Sequence, residues 1–431
     1  MPKDRVVQSV NTVTLAHPAP TPFVQQVGRA LYEADRLEQF TTTIVYRPNH
    51  SLTKAATAIS DRIRFDLAKQ LSRRAVTEFP LSLVKDHPWH EVLQLAVGRF
   101  DRDRRFSDWL FHRGLDAYDR WVAQQVIRSK SAVYGYETAC LATFQAAKQQ
   151  GIACIYDVPA PEHEFVETLL AQELQSYPEL ETPYRQYVKQ RQTERTQRRR
   201  QEWNLADVVI ANSEFTKASY AAAGLEVTKV RVVPYGAPPV NLAALQEPRS
   251  RTTPLQFLWA GTFSIRKGAH YLLQAWKQLQ PQNAQLRVFG SMGLPATLTT
   301  DIPESIHLSG TVPRSELYQQ YRQADILVFP TLCDGFGMVV TEAFAQGLPV
   351  ITTDRAGAAD LIQHGVNGLI VPAGDSQALV ETLSWCITHR TELQAMRQAA
   401  LDTAAKWQWS DYRRSLIENL QDGLSAAGFE L

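Results

Sequence analysis

The chain is poor in cysteine, with four in 431 residues: Cys140, Cys154, Cys333 and Cys386. No two form a Cys-x-x-Cys pair, and no histidine pair stands beside them at ligand spacing. That argues against a disulfide framework and a zinc site, and a reducing cytoplasm fits such usage best. Net charge is lacking too, with 45 Lys+Arg against 44 Asp+Glu. No global basic field would gather nucleic acid, so none is expected as a partner. No uninterrupted apolar run reaches the roughly 18 residues needed to span a bilayer. Met1-Pro2-Lys3-Asp4-Arg5 runs into a short apolar segment broken by Gln8 and Asn11, without the apolar core of a secretory signal. The expectation is a cytoplasmic protein, neither secreted by that route nor integral to a membrane. Peripheral contact with the inner face of a membrane stays open. Internal repeats and low-complexity tracts are also missing.

What is present is the composition of a soluble globular protein, 44% hydrophobic and 21% charged. The length suits two domains. From residue 255 onward, apolar runs alternate with helical spacing. Leu255–Ala260, Leu286–Gly290, Ile306–Gly310, Asp325–Pro330, Pro349–Thr353 and Gly368–Pro372 read as strands. Ala269–Leu279, Ser315–Gln323 and Val339–Ala345 read as helices. Strands that are apolar throughout and alternate with helices predict a parallel sheet covered on both faces. Ligands bind such sheets beyond the carboxyl ends of the strands. The first half is less regular. Thr42–Tyr46, Ala132–Tyr134, Ile152–Tyr156, Val208–Asn212 and Val230–Pro234 read as strands of a second α/β domain. Pro238–Pro254 reads as the linker, which places one domain over residues 1–245 and the other over 254–406. Trp407–Leu420 is an amphipathic terminal segment.

Two loops carry the chemistry. Gly261-Thr262-Phe263-Ser264-Ile265-Arg266-Lys267-Gly268 follows the first strand of the second domain. Two adjacent cations on a glycine-flanked loop suit a diphosphate, whose negative charge grows as it leaves; alone, such a pair reads as solvated surface charge. Asp334-Gly335-Phe336-Gly337-Met338-Val339-Val340-Thr341-Glu342-Ala343 joins the fourth strand to a helix. The glycines permit close backbone approach, and the helix start favours an anion. Glu342, about one turn in, is placed to accept both hydroxyls of a ribose. Asp334 is placed to hold hydroxyls of a sugar. The plain alternative is a helix cap and an exposed glutamate.

Together the loops make the sequence similar to the GT-B glycosyltransferases, specifically the large retaining group of family 4. That family carries two glutamates with seven residues between them, around Gly-Phe-Gly; here Asp334 and Glu342 flank Gly335-Phe336-Gly337. Ala345-Gln346-Gly347-Leu348-Pro349-Val350-Ile351, Gly365-Val366-Asn367-Gly368, Ala206–Lys217 and Val233-Pro234-Tyr235-Gly236 also look like the family. The resemblance covers about residues 203–420. It implies two Rossmann-like domains facing a central cleft, with the terminal segment 407–431 crossing back onto the first. It implies a nucleotide diphosphate sugar as donor, linked to UDP, GDP or ADP, with no cofactor and no metal. Arg266 and Lys267 would hold the diphosphate and Glu342 the ribose. Asp334, with Gly335, Phe336, Gly337, Met338 and Val339, would hold sugar and phosphate. The strand-end glycines Gly261, Gly290 and Gly310, with Thr262, Thr311 and Val312, complete the implied donor site, and Gly310–Arg314 would line the base. Asp334 is one methylene shorter than the usual glutamate.

Weaker signals lie in the first half. Asp101-Arg102-Asp103 matches the Asp-x-Asp of metal-dependent transferases, but Arg104 and Arg105 follow it in a polar helical stretch rather than a strand end. Phe100–Arg128 interleaves arginines with Phe106, Trp109, Phe111, Leu115, Tyr118 and Trp121. A solvated face over core aromatics is the preferred reading; a basic amphipathic helix on anionic lipid is the rival. His17-Pro18-Ala19-Pro20-Thr21-Pro22 stands where the family often has a glycine-rich loop, and would shape the acceptor site. Asp157 and His163 follow a strand aimed at the cleft, where either would contact acceptor or donor sugar. The expected activity is transfer of a hexose, with retention, to a hydroxyl of a polysaccharide, a lipid-linked sugar or a glycolipid. The alternatives are a GT-B epimerase or synthase and a non-catalytic nucleotide-sugar-binding subunit of a glycan assembly complex.

Overall fold

Short runs buried on both faces make this molecule's strands, and amphipathic stretches between them make its helices. A computed structural model describes residues 8–47, 74–89, 91, 101, 105–245, 254–299 and 301–431. In the first half the strands are β1 (Gln8–Ser9), β2 (Val13–Ala16), β3 (Leu37–Thr42), β4 (Val84–Asp86), β5 (Ala132–Tyr136), β6 (Cys154–Val158), β7 (Val208–Ala211) and β8 (Val230–Val232). In the second they are β9 (Leu255–Ala260), β10 (Ala284–Phe289), β11 (Ile306–Gly310), β12 (Ile326–Phe329), β13 (Val350–Thr353), β14 (Gly368–Val371) and β15 (Phe429–Glu430).

Two parallel sheets result. The first has the order β4-β3-β2-β5-β6-β7-β8 and the second β11-β10-β9-β12-β13-β14. In the second sheet the chain winds outward from β9 to β11, then returns to the other side of β9 with β12. Neighbouring connections therefore diverge between β9 and β12 and leave a crevice at the strands' carboxyl ends. The first sheet has the same reversal between β2 and β5. This is an α/β fold of the GT-B type.

The helix Ala269–Leu279 shows how sequence becomes packing. Leu272, Leu273, Ala275 and Trp276 form one buried stripe against the sheet. Each large apolar side chain so buried contributes about 1.5–3 kcal/mol. Gly268 before it is left-handed (φ 75°), and an added Cβ would lie 1.8 Å from the carbonyl oxygen of Pro330. Only glycine lets the Arg266-Lys267 turn press this closely against the end of β12.

The two halves are joined by more than a linker. Trp407 Nε1 donates to the carbonyl of Pro234 (2.9 Å), so the two crossings between domains lie side by side. Beyond them the helix Trp409–Ala427 packs on the helix Pro22–Glu33 and on β7. Arg413 there binds Glu33 at 2.7 Å and Gln26 at 2.8 Å, and β15 pairs with β1. Conversely, the helix His163–Ser176 reaches the second domain, where Glu173 accepts from Tyr271 (3.0 Å) and faces His270 Nε2 (3.1 Å).

Three sequence readings change. The strand expected at Thr42–Tyr46 is β3, which ends at Thr42; its inward-facing run begins earlier, at Leu37. Asp157 sits within β6 rather than in the loop after it. The stretch after residue 104 is a helix, Arg105–Ser129, of two kinds: Leu115, Tyr118 and Val122 are buried, but Phe106, Trp109 and Phe111 are exposed. Asp101 Oδ2 accepts from the Ser107 amide (2.6 Å), so it caps that helix. Residues 102–104, with the rest of the Asp-x-Asp, lie outside the described residues, as does Phe100.

Candidate functional site

The loops after β9 and β12 meet because their backbones are tied together. The Arg266 carbonyl accepts from the Leu332 amide (2.9 Å) and from Thr331 Oγ1 (3.1 Å). Arg266 Nη1 donates to the Cys333 carbonyl (2.9 Å). Arg266 therefore clamps the two loops and is turned away from the cavity they enclose. Lys267 points in. Its ammonium meets the Asp334 carboxylate and lies 5.1 Å from the centre of the Phe329 ring. Burial and the nearby Arg266 push the Lys267 pKa well down; the carboxylate in contact works the other way. Asp334 Oδ1 in turn accepts from the Phe336 amide (3.3 Å).

The cavity is about 260 Å³ and lies between the domains. One wall comes from after β9, with Gly261, Thr262 and Lys267. A second comes from after β12, with Asp334, Phe336, Gly337, Met338, Val339 and Glu342. The first domain closes it with Phe23, Pro159, Asn212 and Tyr235. Glu342 is 7% exposed, on the seven-residue helix Met338–Phe344. So short a helix has little macrodipole, and its use to a ligand is the first-turn amides themselves. Arg314 pairs with one Glu342 oxygen, and the Tyr321 hydroxyl donates to the other at 3.3 Å. Arg314 lies 5.7 Å from the Tyr318 ring centre. Both border a second cavity of about 230 Å³ that reaches Gln26, Glu78 and Trp409.

Nine of the expected donor-site residues thus surround one cavity. Gly290, Gly310, Thr311 and Val312 do not line it, though they stay at the same sheet edge: the Gly290 amide donates to the Gly310 carbonyl (2.8 Å), and the Gly261 amide to the Phe289 carbonyl (2.9 Å). Gly335 faces the first domain. A Cβ there would lie 2.3 Å from the Pro159 carbonyl oxygen, and its own carbonyl accepts from Ser213 Oγ (2.6 Å) and Thr216 Oγ1 (3.2 Å). That explains the Asn212-Ser213-Glu214-Phe215-Thr216 motif. Ser213 caps the helix Glu214–Ala222 and binds the opposite domain with the same hydroxyl.

The first-half candidates separate. His163 opens the helix His163–Ser176 and hydrogen-bonds Thr196 Oγ1 (2.9 Å), away from the cavity. Burial and the arginines beside it, Arg199 and Arg195, press its pKa down to about 3. Asp157 lies behind the cavity wall, buried, accepting from the Tyr134 hydroxyl at 2.5 Å. Burial pushes its carboxyl up to about 7. His17 is buried too and lowered to about 4 for that reason. The sequence reading missed Phe23 and Asn212, which carry no charge pattern, and gave no site role to Tyr235, although its Val-Pro-Tyr-Gly motif was noticed. It also missed the Arg314–Glu342 pair, whose partners are separated by 28 residues and a strand. Among the described residues no three His, Cys, Asp or Glu side chains are grouped to hold a metal, and all four cysteines are free and buried.

Comparison with known proteins bears on the second domain and on the fold. Residues 254–389 match the family described as Glycosyl transferases group 1. The amylovoran biosynthesis glycosyltransferase AmsK of Erwinia amylovora is 31% identical over 143 residues, 30% of this chain and 35% of that protein. The D-inositol 3-phosphate glycosyltransferase 1 of Catenulispora acidiphila is 31% identical over 170 residues, 36% of this chain and 41% of that protein. The chain thus spans about two fifths or less of the length of these curated relatives. Among solved structures, sucrose-phosphate synthase from Thermosynechococcus elongatus superposes with a TM-score of 0.62 at 18% identity, over 96% of this chain and 100% of that one. The Anabaena protein HepE in complex with UDP gives 0.60 at 16% identity, over 95% and 100%. At such identities the structures speak for the fold, and the sequence match for the second domain. Residues 254–389 of this chain thus match the Glycosyl transferases group 1 family, within a chain whose fold is of the GT-B type.

Proposed function

We propose that the protein is a glycosyltransferase that moves a hexose, with retention, from a nucleotide diphosphate sugar to a hydroxyl of a glycan or lipid-linked acceptor, without a metal. The observation that carries this reading is the convergence of Lys267 and Glu342, from the ends of β9 and β12, on one inter-domain cavity. In the proposal Lys267 exchanges Asp334 for the donor's diphosphate, and the freed carboxylate takes hydroxyls of the sugar. A buried cation that gains its full counter-charge only as the diphosphate leaves stabilises the transition state more than the ground state. Glu342 accepts the ribose hydroxyls, with Arg314 and Tyr321 holding its orientation. Met338 and Val339 amides face the phosphate, and the backbone after β11 at Gly310, Thr311 and Val312 faces the base. Arg266 acts through the loops it clamps. Structures of HepE with UDP and with UDP-glucose make a UDP-linked donor the first to test.

The acceptor enters from the first domain, past Phe23 and Tyr235. We place the enzyme in the cytoplasm, touching the inner face of a membrane through Phe106 and Trp109. No helix among the described residues is long and apolar enough to cross a membrane. The test is thermal unfolding against UDP, GDP, ADP and their sugars, with and without EDTA. A ligand at about 100 times its Kd stabilises by about 2.7 kcal/mol. A shift selective for one base and indifferent to EDTA is expected; no shift with any nucleotide would overturn the donor-site reading.

A further inference from the structure

The connection from β6 to β7 runs over residues 159–207, far more than the roughly one dozen residues that a crossover between parallel strands needs. Its first helix, His163–Ser176, starts on the first domain. The Glu162 carboxylate caps it at the Phe165 amide (2.8 Å), the Glu162 amide donates to Ser219 Oγ (3.0 Å), and His163 holds Thr196. The apolar residues Phe165, Val166, Leu169, Leu170 and Leu174 fall on one stripe of this helix, with Tyr177 next in line. Beyond Phe165 that stripe packs on the second domain. Leu170, with Leu180 from the turn that follows, is buried in one cluster with Trp259, Phe263, Ile265 and Leu273. Leu169 is buried against Leu332 and Cys333.

A carboxylate interrupts the stripe. Glu173 lies one turn after Leu169, and its side chain is 12% exposed. A carboxylate so placed is costly without partners, and the second domain supplies two. Tyr271 donates its hydroxyl to Glu173 Oε2 (3.0 Å), and His270 Nε2 faces the same oxygen at 3.1 Å. The Tyr177 ring closes over both, 5.1 Å from the His270 ring and 5.8 Å from that of Tyr271. His270 and Tyr271 begin the helix Ala269–Leu279, directly after the Arg266-Lys267 turn. Cys333 immediately precedes Asp334. One helix of the first domain therefore backs both loops of the cavity, beside the residues that face into it. Arg266 ties these loops to each other, and the helix ties the pair to the opposite domain.

We infer that Glu173 and Leu169 are positioning residues for the proposed donor site. From the first domain they hold the Lys267 and Asp334 loops of the second at the spacing that a diphosphate requires. Glu173 acts through His270 and Tyr271, and Leu169 through Leu332 and Cys333. What the loops hold rests on the function proposed above. Neither residue lines the cavity, so each reaches a ligand only through the loops. The effect should therefore fall on the diphosphate, which meets Lys267. It should spare the nucleoside, which meets Glu342, because Arg314 and Tyr321 hold that carboxylate separately.

The test uses the full chain with Glu173→Ala, Leu169→Ala and Tyr271→Phe, and with Glu173→Gln, which keeps an acceptor for Tyr271. Amide hydrogen exchange is followed over residues 264–268 and 331–337 in the ligand-free chain. Affinities for UDP, GDP and ADP are compared with those for uridine, guanosine and adenosine. Glu173→Ala and Leu169→Ala should speed exchange in both loops and weaken the nucleoside diphosphate about tenfold, with the nucleoside unchanged. Tyr271→Phe should fall between these and the parent, and Glu173→Gln near the parent. If Leu169→Ala does not fold, Tyr271→Phe, which removes a single oxygen and keeps the ring, carries the comparison. Loop exchange equal to the parent's overturns the inference. So does exchange that rises evenly over the second domain, as general destabilisation would give, and so do loosened loops with unchanged diphosphate affinity. A parent chain that binds no nucleoside diphosphate overturns the donor reading instead; exchange in the free chain then decides alone whether Glu173 and Leu169 set the loops.

Discussion

Glu342 and Lys267 are the residues on which the proposed donor site turns. Glu342 is buried and held at both oxygens, so Glu342→Ala leaves Arg314 without its counter-charge as well as removing the ribose acceptor. Turnover should fall by at least about a hundredfold, or 2.7 kcal/mol, measured as nucleotide release with an acceptor mixture; full activity would remove the assigned role. Arg314→Ala should cost less, about tenfold in KM, because it positions Glu342 without touching the ribose. At Asp157 the prediction concerns pH. Its folded pKa, about 7, lies above the usual carboxyl value, so the protonated form is the one folding favours. Its contribution to stability is complete below about pH 4 and is lost as pH rises through 7. His17, lowered to about 4, has the opposite sign: stability is lost as pH falls from about 6.5 through 4. Asp157→Asn should therefore melt progressively higher, relative to the parent, as pH goes from 5 to 8. A constant difference across that range would mean that Asp157 does not titrate there.

At the scale of elements, Ser213 joins a helix start to the other domain. Its Oγ accepts from the Thr216 amide (3.0 Å) and donates to the Gly335 carbonyl (2.6 Å). Ser213→Ala should cost about 1–2 kcal/mol through the lost cap and loosen the loop of Gly335 as well. Chemical denaturation measures the first; the affinity for the donor nucleotide, expected to fall with it, measures the second. The elements of the second domain were legible because they carry strong local signals. Apolar runs such as Ile326–Phe329 end in glycine or proline, and Ala269–Leu279 has one buried stripe. The first sheet was harder. β2 and β4 are four and three residues long, too short for periodicity to mark, and the polar Thr41 and Thr42 inside β3 hid where that strand ends. That Lys267, Asp334 and Glu342 meet at one cavity was readable from residue type, because cations and carboxylates on strand-end loops have few structural uses. The cavity's aromatic wall was not. Phe23 and Tyr235 look like core residues in sequence, and only their meeting with the second domain at one cavity sets them apart. Arg266 and Lys267 looked equivalent side by side, yet a short 3-10 turn at Ile265–Lys267 sends one guanidinium to the backbone and the other cation to the cavity.

For the whole molecule, the question is where the proposed enzyme, with so balanced a charge, would meet a lipid-linked acceptor. The helix Arg105–Ser129 answers in its first turns. Phe106 and Trp109 stack at 5.6 Å and are 51% and 40% exposed. The arginines of the same turns lie over aromatic rings, Arg113 over Trp109 at 5.5 Å and Arg105 over Tyr187 at 5.8 Å. Asp108 in these turns is matched by Arg195 at 2.6 Å, and no ion pair to Arg105 or Arg113 is found among the described residues. The patch therefore combines apolar area with the positive charge of Arg105 and Arg113, the pair of features that binds an interface carrying anionic lipid. Its apolar part supplies affinity at any ionic strength, and its arginines are screened beyond about 10 Å in 0.1 M salt. Phe106→Ser with Trp109→Ser should weaken sedimentation with phosphatidylglycerol vesicles by about tenfold or more, or 1.4 kcal/mol, and leave nucleotide binding unchanged because the cavity is lined by other elements. Arg105→Gln with Arg113→Gln should remove the preference for anionic over zwitterionic vesicles and flatten the salt dependence. If the parent chain ignores vesicles of either kind, the exposed aromatics serve something other than lipid, and the acceptor must be one that reaches the cleft from solution.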